Sequence, residues 1–169
     1  HLEHPGIVAV YDAGTHDDGS PWYTMRLVRG RTLGAAIEGC GLEERLELLR
    51  PFLAATQAVA YAHSRGFIHR DLKPDNILVG EFGETQVADW GLARSVDEEE
   101  QAEENGGGAA GETQVGSVVG TPAYMSPEQV RGERATERSD VWSLGATLRQ
   151  VLTGRVPYGG SDGAAVLLD

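Results

Sequence analysis

Apolar and polar positions alternate along this chain in short extended stretches, then recur at helical spacing in two longer ones. Ile7 to Tyr11 and Trp22 to Val28 read as strands, and the turn formers Asp12, Gly14, Asp17, Asp18, Gly19 and Pro21 between them predict a hairpin. From Leu42, the positions Leu46, Leu49, Leu53, Ala60 and His63 recur in three- and four-residue steps and predict one face of a long helix that ends at Gly66. Pro51 falls inside this pattern and predicts a kink or a fresh helix start, because proline lacks a backbone donor. Ile77 to Val79 and Thr85 to Ala88, around Gly80 and Gly83, predict a second small hairpin. Ser139, followed by Val141, Leu144, Leu148, Val151 and Leu152, predicts a capped amphipathic helix running to Gly154. There is no internal repeat.

Between these elements, Ser95 to Gly116 combines an acidic run with the Gly/Ala stretch from Gly106 to Gly111 and almost no apolar side chains, so it is expected to be mobile. The 169 residues, 40% of them hydrophobic and 24% charged, fit one globular domain or part of one. The net charge of -12 argues against a nucleic-acid surface, and six of the acids lie between Asp97 and Glu104, a run that reads as a solvated insertion. A single cysteine, Cys40, excludes an internal disulfide, and the five scattered histidines give no zinc spacing. These features fit the cytoplasm. No membrane-length apolar run and no signal pattern are present, and the missing initiator Met points to a piece of a longer chain.

The chemistry concentrates in His69, Arg70, Asp71, Leu72, Lys73, Pro74, Asp75 and Asn76, which place an acid, a base and an amide on one predicted loop. Phosphoryl transfer needs an acceptor for a hydroxyl proton, a cation against the transferring oxygens, and oxygen ligands for magnesium. Asp71, Lys73 and Asn76 match those needs in kind, and Asp89, beside Trp90 and Gly91, offers a second carboxylate thirteen residues after Asn76. Either carboxylate alone would more often be a turn or cap residue. Their combination in order favours the functional reading. His63 reads as a helix-face residue, His69 as packed beneath the loop, and Trp90 as a core contact.

In these stretches the chain resembles the protein kinase superfamily. His69 to Asn76 is similar to the catalytic-loop motif, and Asp89-Trp90-Gly91 to the magnesium-binding motif with Trp for the usual Phe. Gly120 to Glu128 looks like the end of the activation segment, and Asp140 to Gly145 like the helix that anchors the catalytic loop. His4 to Val8 resembles the lead into the fourth strand, and Met25 to Val28 the gatekeeper and hinge. The resemblance implies an α+β, protein-kinase-like fold. Residues 1–28 would close the N-lobe and form the hinge, and 29–169 would form a mainly helical C-lobe with a mobile activation segment at 89–128.

The resemblance also implies roles. Asp71 would be the base, Lys73 the cation on the transferring phosphate, and Thr121 part of the substrate platform beside them. Asn76 and Asp89 would bind Mg2+. Met25, Arg26, Val28 and Leu78 would meet the adenine of ATP. His69, Asp140 and Glu128 would be structural, with Glu128 awaiting an arginine beyond Asp169. Lys73 together with Thr121 implies Ser/Thr specificity, hence protein substrates, and the Gly30 to Leu33 and Ser126 to Gln129 stretches look bacterial in style. Arg70 implies control by activation-segment phosphorylation, with Ser117 and then Thr113 as candidate sites.

The glycine-rich loop, the ATP-binding lysine and its glutamate partner are expected to lie before His1. The 169 residues alone are therefore expected to have little or no activity, and the parent protein to be an active kinase, anchored to a membrane elsewhere if at all. A pseudokinase scaffold or binding module is the alternative. A small-molecule phosphotransferase is a third reading, against which Lys73-Pro74 and the Thr121 to Glu128 platform both speak.

Overall fold

The computed structural model describes residues 2–90, 94–95 and 122–157. Strands β1 (Val10–Thr15) and β2 (Pro21–Met25) form an antiparallel hairpin, and a short extended segment then leads to β3 (Gly30–Thr32). Helices α1 (Leu33–Ile37), α2 (Leu42–Glu47) and α3 (Leu49–Ser64) follow. Next come β4 (Phe67–Ile68), a 3-10 turn at Pro74–Asn76, β5 (Ile77–Gly80), β6 (Thr85–Val87) and β7 (Arg94–Ser95). A 3-10 turn at Pro122–Tyr124 and helices α4 (Pro127–Val130) and α5 (Glu137–Thr153) complete the described part. β3, β5 and β6 form one antiparallel sheet in that order, and β4 pairs with β7.

The first hairpin exists, but its limits differ from the expectation. β1 begins at Val10 and runs through Asp12, Ala13 and Gly14, which pair with Thr24, Tyr23 and Trp22. The ladder overrides the turn propensity of Asp12 and Gly14, and the actual turn is His16 to Ser20, closed by the bond from His16 N to Ser20 O. Ile7 is instead bridged in parallel to Val87 of β6, with Val8 N donating to Val87 O at 2.9 Å and Val87 N to Gly6 O at 2.8 Å. The second hairpin matches its expected position.

The expected long helix is two helices that break at Leu48. Pro51 lies in the first turn of α3, where its missing N–H falls among the donors that a helix start leaves unpaired anyway. The buried face of α3 is Ala55, Ala58, Val59 and Ala62, whereas Leu42, Leu46 and Leu53 of the expected face are exposed. Small side chains bring the α3 backbone close to β6 and α5. The last helix begins earlier than expected: Thr136, not Ser139, is its N-cap, and Ser139 Oγ accepts from Thr136 N at 3.0 Å. Val141 and Leu152 of its expected face are exposed, and its buried face mixes Ser139, Asp140, Ser143 and Thr147 with Leu144, Ala146 and Val151.

One core joins these elements, built from Ile7, Leu33, Ile37, Val59, Leu72, Ile77, Val87, Leu144 and Val151 among others. Burying a side chain such as Leu33, Leu72 or Ile77 contributes roughly 1.5–3 kcal/mol. Leu72 lies within the Asp71 to Asn76 loop and Ile77 follows it directly, so the same packing that stabilises the domain ties the loop down. No helix among the described residues is long and apolar enough to cross a membrane.

Candidate active site

The loop between β4 and β5 is held from beneath by Asp140, which is fully buried in the first turn of α5. Its Oδ2 accepts from His69 N at 2.8 Å and its Oδ1 from Arg70 N at 2.9 Å. A third group faces the same carboxylate: His63 Nε2 of α3 lies 2.7 Å from Oδ2. A buried carboxylate needs this many partners, because an unpaired charge in the interior is very costly.

His69 is fully buried, and that burial holds its imidazole below the ordinary value of 6.5, against smaller opposing pulls from Ala88 O, Asp140, Asp71 and Asp89. A neutral ring with its proton on Nε2 satisfies both neighbours. Nε2 then donates to Ala88 O at 2.9 Å, and Nδ1 accepts from Asp71 N at 3.3 Å. The ring packs tilted against Trp90 at 4.6 Å, and Trp90 Nε1 donates to Val87 O at 3.0 Å.

On this support sit the candidate chemical groups. Lys73 Nζ lies 2.8 Å from Asp71 Oδ2, with both side chains partly shielded from water. Asn76 Nδ2 donates to Asp71 O at 2.7 Å and more weakly toward Asp71 Oδ2 at 3.4 Å. The β5–β6 ladder then carries Asp89 to the same end, since Ala88 N donates to Asn76 O at 2.9 Å. Arg70 and Asp89 adopt left-handed backbone, with φ of 72° and 63°. Such conformations cost roughly 1–3 kcal/mol outside glycine and persist only where the surroundings impose them. Here the bonds to Asp140 and those on Ala88 impose them.

Asp89 has a neighbour from the first hairpin, as Tyr23 OH donates to its Oδ1 at 3.2 Å. Burial raises the Tyr23 phenol above its usual value, and the Asp89 charge adds to the shift. Met25, Tyr23, Val8, Val10, Asp89 and Trp90 line one cleft of about 280 Å³, so the expected gatekeeper and the expected magnesium ligand share a wall. Arg26 and Val28 line a separate cleft of about 400 Å³. Arg26 N–H is committed to Ala9 O at 2.9 Å, which narrows its backbone contribution to the carbonyl. Leu78 lies on β5, two residues after Asn76, and pairs with Thr32 and Gln86.

Glu128 accepts from Ser139 Oγ at 2.6 Å, and that bond holds its carboxyl below the usual range. Gln129, next to it, donates from Nε2 to Arg70 O at 2.6 Å. Thr121 and the candidate phosphorylation sites Ser117 and Thr113 lie outside the described residues. Sequence reasoning missed His63, Gln129 and Tyr23 as parts of this site. The Ser126 to Gln129 stretch was a signal for the second, since a Ser followed three residues later by Gln marks a capping box.

The protein kinase domain family matches residues 1–167. The chain is 41% identical to the serine/threonine-protein kinase PknD of Protochlamydia amoebophila, covering 93% of this chain and 18% of that protein. It is 36% identical to the serine/threonine-protein kinase PrkC of Bacillus subtilis, covering 99% and 24%, and 38% identical to the serine/threonine-protein kinase PknB of Mycobacterium tuberculosis, covering 98% and 25%. The chain thus spans about a quarter or less of the length of these relatives. With the family matched over nearly its whole length, and with acid, lysine and amide converging on one buried-anchored loop, the chain belongs to the protein kinase domain family.

Proposed function

We propose that a protein carrying this domain transfers the γ-phosphoryl group of ATP to serine and threonine hydroxyls of protein substrates. The observation that carries this reading is the Asp71–Lys73 pair at 2.8 Å, held by Asn76 on a loop that Asp140 anchors. Asp71 accepts the hydroxyl proton as the new O–P bond forms and the bond to the β-phosphate oxygen breaks. Lys73 moves from Asp71 toward the transferring oxygens and balances their charge. Thr121 is assigned to the substrate platform by the family resemblance. Met25 would meet the adenine in the Asp89 cleft with Leu78 packing under it, and Arg26 and Val28, whose side of the chain lines a separate cleft, would contribute through free backbone groups.

The donor set suits the magnesium that the family uses. Asn76 spends its nitrogen on Asp71, which leaves its oxygen for a cation, and Asp89 adds a carboxylate. Among the described residues no group of three or more His, Cys, Asp or Glu forms a self-sufficient metal cage. Two protein oxygens supplemented by phosphates and water match the habit of Mg2+ rather than of zinc. Bound with ATP, Mg2+ neutralises phosphate charge. Asn76 and Asp89 would hold it, with Tyr23 fixing one Asp89 oxygen.

Arg70 is the group that would answer phosphorylation of Ser117 or Thr113, and the cytoplasm, where ATP is supplied, is the compartment in which the domain would work. The reading is tested by ATP-dependent phosphorylation of a generic protein substrate with the full-length protein and its Asp71→Asn variant. We expect the variant to lose roughly 10²- to 10⁴-fold in rate. No transfer by either, from folded protein with Mg2+ and ATP, would favour a binding module instead.

A further inference from the structure

The two ends of the Gln129 amide do different things. Oε1 accepts from Ser126 N at 3.2 Å and from Ser126 Oγ at 3.0 Å, closing the capping box that starts α4. Ser126 is fully buried, so this end is fixed. Nε2 is thereby turned outward and donates to Arg70 O at 2.6 Å, across 59 residues of sequence. The opposite amide orientation would set oxygen against oxygen at Arg70 and an NH2 group against the Ser126 N–H, so the partners themselves decide the assignment.

Arg70 O belongs to the same planar peptide unit as Asp71 N. Gln129 grips one edge of that plane, and His69 Nδ1 holds the other at 3.3 Å, a longer contact. The plane is reached from Arg70, whose φ of 72° is left-handed, and its own rotation is set by ψ of Arg70 and φ of Asp71. A change in ψ of Arg70 would turn this plane and swing the Asp71 side chain away from Lys73. We propose that Gln129 is a positioning residue for phosphoryl transfer: it locks the Arg70–Asp71 peptide plane, and so makes the aim of Asp71 depend on the Ser126–Gln129 turn being docked. This rests on the kinase reading of Asp71.

The test uses the full-length protein and its Gln129→Glu and Gln129→Ala variants. At pH 8 the glutamate puts a charged oxygen against Arg70 O, and kcat is expected to fall roughly 10- to 100-fold through misorientation, while KM for ATP stays within about twofold. An unchanged kcat in either variant, a KM for ATP that rises as far as kcat falls, or a loss that merely tracks the folded fraction by thermal unfolding would each overturn the proposal. Amide hydrogen exchange over residues 69–72 reads the same contact without turnover. It should quicken in Gln129→Ala, and no change there overturns the proposal too. A wild type that transfers no phosphate defeats the kinase reading alone, because the exchange result still judges the contact.

Discussion

His63 Nε2 sits 2.7 Å from Asp140 Oδ2, the same oxygen that accepts from His69 N, although 77 residues separate the two side chains. One carboxylate thus joins α3, α5 and the start of the His69 to Asn76 loop. Asp140→Ala leaves three donors without their acceptor and is expected to cost about 3–5 kcal/mol of stability. His63→Ala removes one donor and is expected to cost about 1–2 kcal/mol. Urea denaturation of the single and double variants checks both values, and the double should cost less than the sum because the partners share an oxygen.

Lys73 pairs with Asp71 at a partly exposed position, so its contribution to folding is expected to be small, whereas the role proposed for it in transfer predicts a large effect on rate. Lys73→Ala is expected to shift stability by no more than about 1 kcal/mol. The rate of phosphate transfer should fall roughly 10²- to 10³-fold. Steady-state kinetics beside a denaturation curve separates the two, and a rate loss matched by unfolding would contradict the assigned role.

The buried His69 gives a pH dependence whose sign follows from its lowered pKa. Above the ordinary value of 6.5 the ring is neutral both folded and unfolded, and its contribution is fully present. Below 6.5 the unfolded chain takes up a proton that the folded chain refuses, so stability falls as pH drops toward the folded value. The slope from this one group reaches at most about 1.4 kcal/mol per pH unit. His69→Phe keeps a ring against Trp90 and should flatten the dependence between pH 6.5 and 5. An identical slope in the variant would show that other groups carry it.

Gly30 pairs with Gly80 and has a φ of 144°, and a Cβ there would stand 2.2 Å from Val79 O. Gly30→Ala therefore meets both strain and backbone overlap, and is expected to cost about 2–4 kcal/mol. Gly19→Ala, at a φ of 85° with open space around it, is a control for strain alone and should cost about 1 kcal/mol. Thermal unfolding of the pair distinguishes the two contributions.

What the sequence revealed and what it hid divide by range. His69 to Asn76 and the Ile77 to Val87 hairpin were legible because their signals are contiguous, with Gly83 at a φ of 85° supplying the turn. The face of α3 was misread because leucine outweighs alanine in any hydrophobicity count. The helix buries Ala55, Ala58, Val59 and Ala62, where close approach of backbones matters more than side-chain size. β3 and α1, of three and five residues, are too short to show a period and exist because β5 and the core receive them. Contacts such as His63 to Asp140 and Gln129 to Arg70 cross 77 and 59 residues, and no local pattern encodes them.

The parallel bridge between Ile7 and Val87 gives the first hairpin a second mounting. A body attached by a single strand can swing in any direction about it. The hairpin is attached twice, by the chain at 26–29 and by the bonds of Gly6 and Val8 to Val87, which Gln86 Nε2 extends to Pro5 O at 3.0 Å. Two mountings define an axis, as a door hung on two pins has only one way to move. Met25 on that hairpin and Asp89 line the same cleft, so the two mountings govern how its lining is held together.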